Sequence, residues 1–156
     1  MTMDGASEWV AVSAQPLAPD HLAAWATRRD CGAVVTFCGT ARTTSTFEHE
    51  IIELDYETDV DLAESRIRAV TARARERWPE VRAIAVHHRI GTVLVREPAV
   101  VVAVSSPHRR EAFEAAQFCI DAVKHTGPMW KREVWQGGSA WSEQTEDIVD
   151  VGDLAP

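Results

Sequence analysis

Apolar positions along the chain switch repeatedly between a period of two residues and a period near 3.6. Trp9-Val-Ala-Val-Ser13 is a short alternating run and predicts a strand. Pro19-Asp20 then opens a helix to about Arg29, with Leu22, Trp25 and Ala26 as its apolar stripe. Gly32-Ala-Val-Val-Thr-Phe-Cys-Gly39 is dense in β-branched residues and predicts a buried strand, followed by the polar loop Thr43-Thr-Ser-Thr-Phe-Glu-His49. Ile51-Ile-Glu-Leu-Asp-Tyr56 alternates, which puts Ile52, Leu54 and Tyr56 on one face.

The clearest helix follows. Thr58 or Asp59 caps it, Asp61 and Glu64 occupy its first turns, and Arg73, Arg75 and Arg77 its last, a charge order that complements the helix dipole. Ala63, Ile67, Val70, Ala74 and Trp78 form one stripe, and Pro79 stops the helix. Val81 to Val95 predicts a strand pair broken near Gly91, and Ala99-Val-Val-Val-Ala-Val-Ser105 a strand buried on both faces. Ser106 with Pro107 behind it reads as the cap of a helix that turns Phe113, Ala116, Ile120 and Val123 inward and ends at Gly127-Pro128. Met129 to Trp135 is the last predicted strand. Many strands joined by short turns favour an α+β domain over a doubly wound parallel sheet. The expected organisation is a loose tail over 1–8, one domain over 9–141 and an acidic tail over 142–156.

Composition narrows the classes. Of the 156 residues, 46% are hydrophobic and 26% charged, as in a soluble globular domain. No apolar run approaches the ~20 residues of a membrane helix and the N-terminus has no signal pattern, so the expected location is the cytoplasm, away from membranes. A net charge of -8 argues against nucleic acid as a partner. Cys31, Cys38 and Cys119 are odd in number and have no CxxC spacing, which argues against disulfides and a zinc site. Cys38 and Cys119 read as small buried hydrophobes, and the tryptophans at 25, 78, 130 and 135 as mostly core. His87 and His88 read as a core or edge pair, since no third metal ligand stands at strand spacing.

Against this acidic background, the cations gather. Lys124-His-Thr-Gly-Pro-Met-Trp-Lys131-Arg-Glu133 sets two lysines and an arginine around a Gly-Pro break. His108-Arg109-Arg110 lies at the start of the preceding helix, where cations are locally unfavourable and a docked anion offsets the cost. Arg42 follows Gly39-Thr-Ala, at a strand end opening into a loop. Each has a plainer reading: Lys124 as a helix-end lysine, Lys131 as a solvated position, Arg109 and Arg110 as partners of Glu111 and Glu114. Together they point to a pocket for an anionic small molecule or a carboxylate.

Gly39-Thr-Ala-Arg42, Arg77-Trp-Pro79, His88-Arg-Ile-Gly91, Ser106-Pro-His-Arg109, Phe113-Glu-Ala-Ala-Gln-Phe118 and Lys124 to Glu133 stand in an order and spacing that resembles the large, catalytic subunit of molybdopterin synthase. The resemblance runs from about Gly32 to Trp141, and its most specific part is Lys-x-x-x-Pro-x-Trp-Lys-x-Glu. The loop after Arg42 is brief for that family, and the acidic tail matches none of its motifs.

The resemblance implies an α/β hammerhead-type single domain, with a mixed or antiparallel sheet and two to three packed helices. It implies a sulfurtransferase of molybdenum cofactor biosynthesis that converts cyclic pyranopterin monophosphate to molybdopterin by adding two dithiolene sulfurs. The sulfur comes from the C-terminal thiocarboxylate of a small ubiquitin-like carrier subunit ending in Gly-Gly. This chain would form a homodimer at the centre of a heterotetramer, with no metal and no cofactor of its own. Lys124 and Lys131 would be catalytic, Lys124 beside the thiocarboxylate carbon and Lys131 holding the pterin phosphate or assisting opening of the cyclic ester. Arg42, His108 and Arg109 would bind the phosphate with Thr40 and Ala41 lining the same wall, and Arg132 and Glu133 would neighbour the pterin. Two other readings remain: a persulfide sulfurtransferase using Cys38 or Cys119, and a non-catalytic module that docks a ubiquitin-like tail.

Overall fold

A computed structural model describes residues 6–45, 47–142 and 152. Its elements run β1 (Glu8–Ser13), α1 (Pro19–Ala26), β2 (Ala33–Thr40), β3 (Ile51–Glu57), α2 (Val60–Arg77), β4 (Ala83–Arg89), β5 (Gly91–Leu94), β6 (Pro98–Ser106), α3 (Arg109–Thr126), β7 (Trp130–Trp135) and β8 (Gly138–Trp141). The strands form two four-stranded sheets, ordered β1-β4-β6-β2 and β5-β3-β7-β8. Only β1 and β4 pair in parallel; every other pairing is antiparallel. This is the expected α+β class, with a mixed sheet and three helices.

The first sheet is the core because β6 is apolar on both faces. Val100, Val102 and Val104 meet the stripes of α2 and α3, among them Ile67, Val70 and Ile120. Val101 and Ala103 face the other way, against Leu22 and Trp25 of α1. Asp59 caps α2, accepting from the Leu62 N–H at 3.1 Å. A smaller cluster of Ala41, Ile51, Leu54, Val93 and Ala99 fills the space under the second sheet.

Several expectations are corrected. The broken pair over 81–95 is two strands in different sheets, because Gly91 takes φ +77 and carries the chain from one to the other. Ser106 ends β6 rather than capping α3; the cap position is His108, with no side-chain cap bond. The predicted buried strand, β2, is an edge strand whose Val34, Phe37 and Cys38 are exposed, since β6 covers only one of its sides. Ile52 is thrown outward by a register shift between Ile51 and Glu53, leaving Leu54 and Tyr56 inside. Phe113 is exposed because α3 seats small residues on the sheet, Ala112, Ala115, Ala116 and Ala122. Trp130 is exposed as well.

α1 stops at Ala26 rather than Arg29, and β1 begins at Glu8, inside the stretch expected to be a tail. The last strand is β8: Gln136 and Gly137 turn the chain back, with Gly137 at φ +93. Of the two expected tails, residues 1–5 and most of 142–156 lie outside the described residues.

Candidate functional site

A cavity of about 400 Å³ opens where the end of β2 and its following loop meet β3, the start of β6, the end of α3 and β7. Arg42, Lys124 and Lys131 all line it, with Thr40 and Glu133 beside them. The loop after β2 thus brings its cation to those of the distant α3 and β7.

Each position has a local cause. Lys124 stands in the last turn of α3, where the helix dipole favours a cation, and the turn is closed by the Gly127 N–H donating to the Val123 carbonyl at 2.8 Å. The chain then returns as β7, with the Thr58 hydroxyl donating to the Pro128 carbonyl at 2.7 Å. On β7, alternate residues face opposite sides, so Lys131 and Glu133 point into the cavity together. Arg42 follows a bulge at Gly39 and Thr40. Gly39 allows the close approach there, since a Cβ would lie 2.7 Å from Val100 Cγ1.

The loop bearing Arg42 is tied to the cavity wall. The Ser45 hydroxyl donates to Glu133 Oε2 at 2.7 Å, and the Phe47 N–H donates to Ser45 Oγ at 2.9 Å. His49 stacks on Trp135 with ring centroids 4.2 Å apart and planes 6° off parallel. Glu133 is 2% exposed, a buried carboxylate facing three cations. Among the described residues, none of Arg42, Lys124 and Lys131 is in an ion pair. An unpaired cation at the rim of a protein attracts an anion at 4 Å by about 4 kcal/mol before desolvation, so the arrangement suits a multiply charged anion.

Other expected site residues are placed elsewhere. Arg132 faces the outer side of the second sheet, bonded to Asp55 at 2.7 Å and lying over the Trp141 ring. Ala41 is buried, and its backbone groups are already used by the Glu97 carbonyl at 3.0 Å and the Arg96 N–H at 2.8 Å. His108 and Arg109 stand at the opposite end of α3, roughly 22 Å along the helix from Lys124 at 1.5 Å per residue. His108 Nδ1 is 3.8 Å from Glu80 Oε2, and Arg110 pairs with Glu114 at 3.0 Å. Glu80, His108 and Glu111 offer ligand atoms within 4.8 Å of one another, outside the cavity, with Glu80 and His108 exposed and Glu111 half-buried.

The sequence reading did not place Ser45 or Tyr56 in the cavity. Tyr56 is the register partner of Lys131 across β3 and β7, and its ring meets His88 edge-on at 5.1 Å. Burial pushes its phenol up to about 12, so it stays protonated. His88 is buried, which lowers its imidazole, and its Nδ1 donates to the Arg89 carbonyl at 2.8 Å. The cysteines do not supply a nucleophile to this site. Burial pushes the Cys119 thiol up to about 12 and raises Cys38, which is exposed on β2, and neither lines the cavity.

Fold and site define a single α+β domain built around an anion-receptive cavity. Residues 12–126 match the family described as MoaE protein, a span that takes in Lys124 and stops short of Lys131. The chain belongs to the MoaE family. It is 36% identical over 144 residues to the molybdopterin synthase catalytic subunit of Taeniopygia guttata, covering 92% of each chain. Its fold superposes on the crystal structure of molybdopterin synthase from Staphylococcus aureus with TM-score 0.80 and 32% identity, over 85% of this chain and 96% of that one. A complex of subunits 1 and 2 of the molybdopterin-converting factor from Helicobacter pylori shares the fold, with TM-score 0.71 and 18% identity over 91% of this chain and 94% of that one.

Proposed function

We propose that this chain is the catalytic subunit of a molybdopterin synthase, moving sulfur from the thiocarboxylate of a small carrier protein onto cyclic pyranopterin monophosphate. The observation that carries the reading is the meeting of Lys124, Lys131 and Arg42 in one cavity, without ion-pair partners among the described residues. Each of the two transfers moves one sulfur to the substrate and returns the carrier as a carboxylate, with water supplying the oxygen. Substrate, donor and released carrier are all anionic, and fixed cations serve each of them. Lys124, at the helix end, stabilises charge at the thiocarboxylate carbon and moves protons; Lys131 and Arg42 hold the phosphate. The family's subunit name supports the enzyme role, and the two-subunit Helicobacter pylori complex supports a second subunit as partner. No metal or cofactor is required for this chemistry. We place the protein in the cytoplasm, in keeping with described helices too short or too polar to cross a membrane.

A homodimer gives His108 and Arg109 a place in the reaction. The Gly32 N–H donates to the Pro107 carbonyl at 3.2 Å, so the start of β2 adjoins His108 and Arg109, while its end at Gly39 and Thr40 lines the cavity. In a two-fold pairing of exposed β2 edges, the start of one strand lies beside the end of the other. His108 and Arg109 of a second copy would then face the phosphate.

The reading is tested by mixing the chain with a thiocarboxylated small carrier and the cyclic precursor, then assaying for dithiolene product. No product from a folded complex would overturn it. Binding of the carrier without turnover would favour the docking-module reading, and activity lost on thiol alkylation the persulfide one.

A further inference from the structure

Tyr56 is the only tyrosine in the chain. It sits in the cavity wall, directly across the β3–β7 pairing from Lys131. Its ring is held from behind by the buried His88, edge-on at 5.1 Å, and by the cluster under the second sheet. A tyrosine hydroxyl in such surroundings normally finds a hydrogen-bond partner. Among the described residues, none bonds to the Tyr56 hydroxyl.

A neutral donor beside lysines adds something that the lysines lack. Ammonium groups supply charge with little directional demand, whereas a phenol on a packed ring donates from one fixed point. Burial holds the phenol protonated through the neutral range, so it does not repel an incoming anion.

We propose that Tyr56 is a substrate-binding residue whose hydroxyl donates a hydrogen bond to an anionic oxygen of the ligand held by Lys131. This rests on the proposed function for the identity of the ligand. The oxygen belongs either to the phosphate of the cyclic precursor or to the carboxylate end of the carrier tail, and in both cases Tyr56 orients what Lys131 attracts.

A lone tyrosine makes the test direct. Labelling the full chain with tyrosine enriched in ¹³C at the ring carbon bearing the hydroxyl gives a single resonance. That resonance is followed while the cyclic precursor, inorganic phosphate or the carboxylate form of the carrier is added. The expected result is a shift that saturates together with binding measured by calorimetry, and the titrant that produces it names the source of the oxygen. Tyr56→Phe should weaken that same ligand about 10- to 100-fold, the loss of a hydrogen bond to a charged group, with the melting temperature nearly unchanged. A silent resonance under a ligand that calorimetry shows to bind, or Tyr56→Phe binding as tightly as wild type, overturns the assignment while leaving the proposed function standing. A resonance that answers phosphate but a protein that never binds the precursor overturns the proposed function and keeps Tyr56 as an anion donor.

Discussion

Lys131 and Arg132 are neighbours with opposite fates, because successive residues of a strand face opposite sides. Lys131 enters the cavity with no ion pair among the described residues; Arg132 spends its guanidinium on Asp55 at 2.7 Å. Lys124→Ala is therefore expected to cut turnover by about 10²–10⁴, the usual contribution of an acid–base group, and Lys131→Ala to weaken binding of the cyclic precursor. Arg132→Ala should leave single-turnover rates within a few-fold of wild type. A small effect of Lys124→Ala with a preformed carrier complex would remove it from the chemistry. At this scale, residue types and spacing revealed the cations but not their direction. Nothing in the run Lys131-Arg-Glu133 says which face of β7 is inward until β3 is known to be its partner.

His87 makes a different single-residue prediction. It packs edge-on against Trp9 at 4.6 Å, and its Nε2 is buried without a hydrogen-bond partner among the described residues. Burial, then the nearby charge of His21, lowers its imidazole from 6.5 to about 4. Between those values the unfolded chain holds the proton and the folded chain does not, so stability rises with pH across the window. The contribution is fully present above about 6.5 and is lost as pH falls toward 4. Discounted for the ring's partial exposure, the loss is about 2 kcal/mol. Denaturant midpoints taken across this window should show it, and His87→Leu should make the curve shallower without flattening it, because burial lowers His88 as well.

Among the elements, α2 was the most legible because every local signal agrees: an Asp59 cap, a dipole-matched charge order and one apolar stripe. Asp59→Ala should cost about 1 kcal/mol, the usual value of a helix cap, seen as a lower melting temperature without loss of activity in the surviving folded protein. β2 was read as buried from its β-branched residues, yet composition measures strand tendency and not position in a sheet. Its edge location follows from a strand order that only long-range pairing sets. The separation of β4 from β5 was hidden for the same reason: Gly91 marked a break, but a hairpin and a crossing between sheets begin with the same residue. β3 was misread by one residue at Ile52, where a bulge overrides alternation. Phe113 shows the limit of size as a burial signal, since helix α3 seats alanines on the sheet in its place.

At the scale of the whole molecule, the cations of the site lie at both ends of α3, and a helix of 18 residues keeps its ends apart. Arg42, Lys124 and Lys131 share the cavity; His108 and Arg109 do not reach it. In the proposed two-fold pairing the open β2 edge joins the two ends through a second copy, and this has a consequence that single variants cannot imitate. If each site takes Lys124 from one chain and Arg109 from the other, Lys124→Ala and Arg109→Ala homodimers are both impaired. A mixed dimer of the two variants carries one doubly altered site and one wholly native site. Random mixing makes about half of the dimers mixed, so activity should recover to roughly a quarter of wild type after unfolding and refolding together. If both residues served the same chain's cavity, each site in the mixed dimer would keep one defect and no activity would return. Recovery that falls as Val34→Glu is added to both variants would tie the effect to the β2 edge, where Val34 is exposed and lies outside the cavity. A mixture as inactive as its components, with dimers demonstrated by light scattering, would take His108 and Arg109 out of the site.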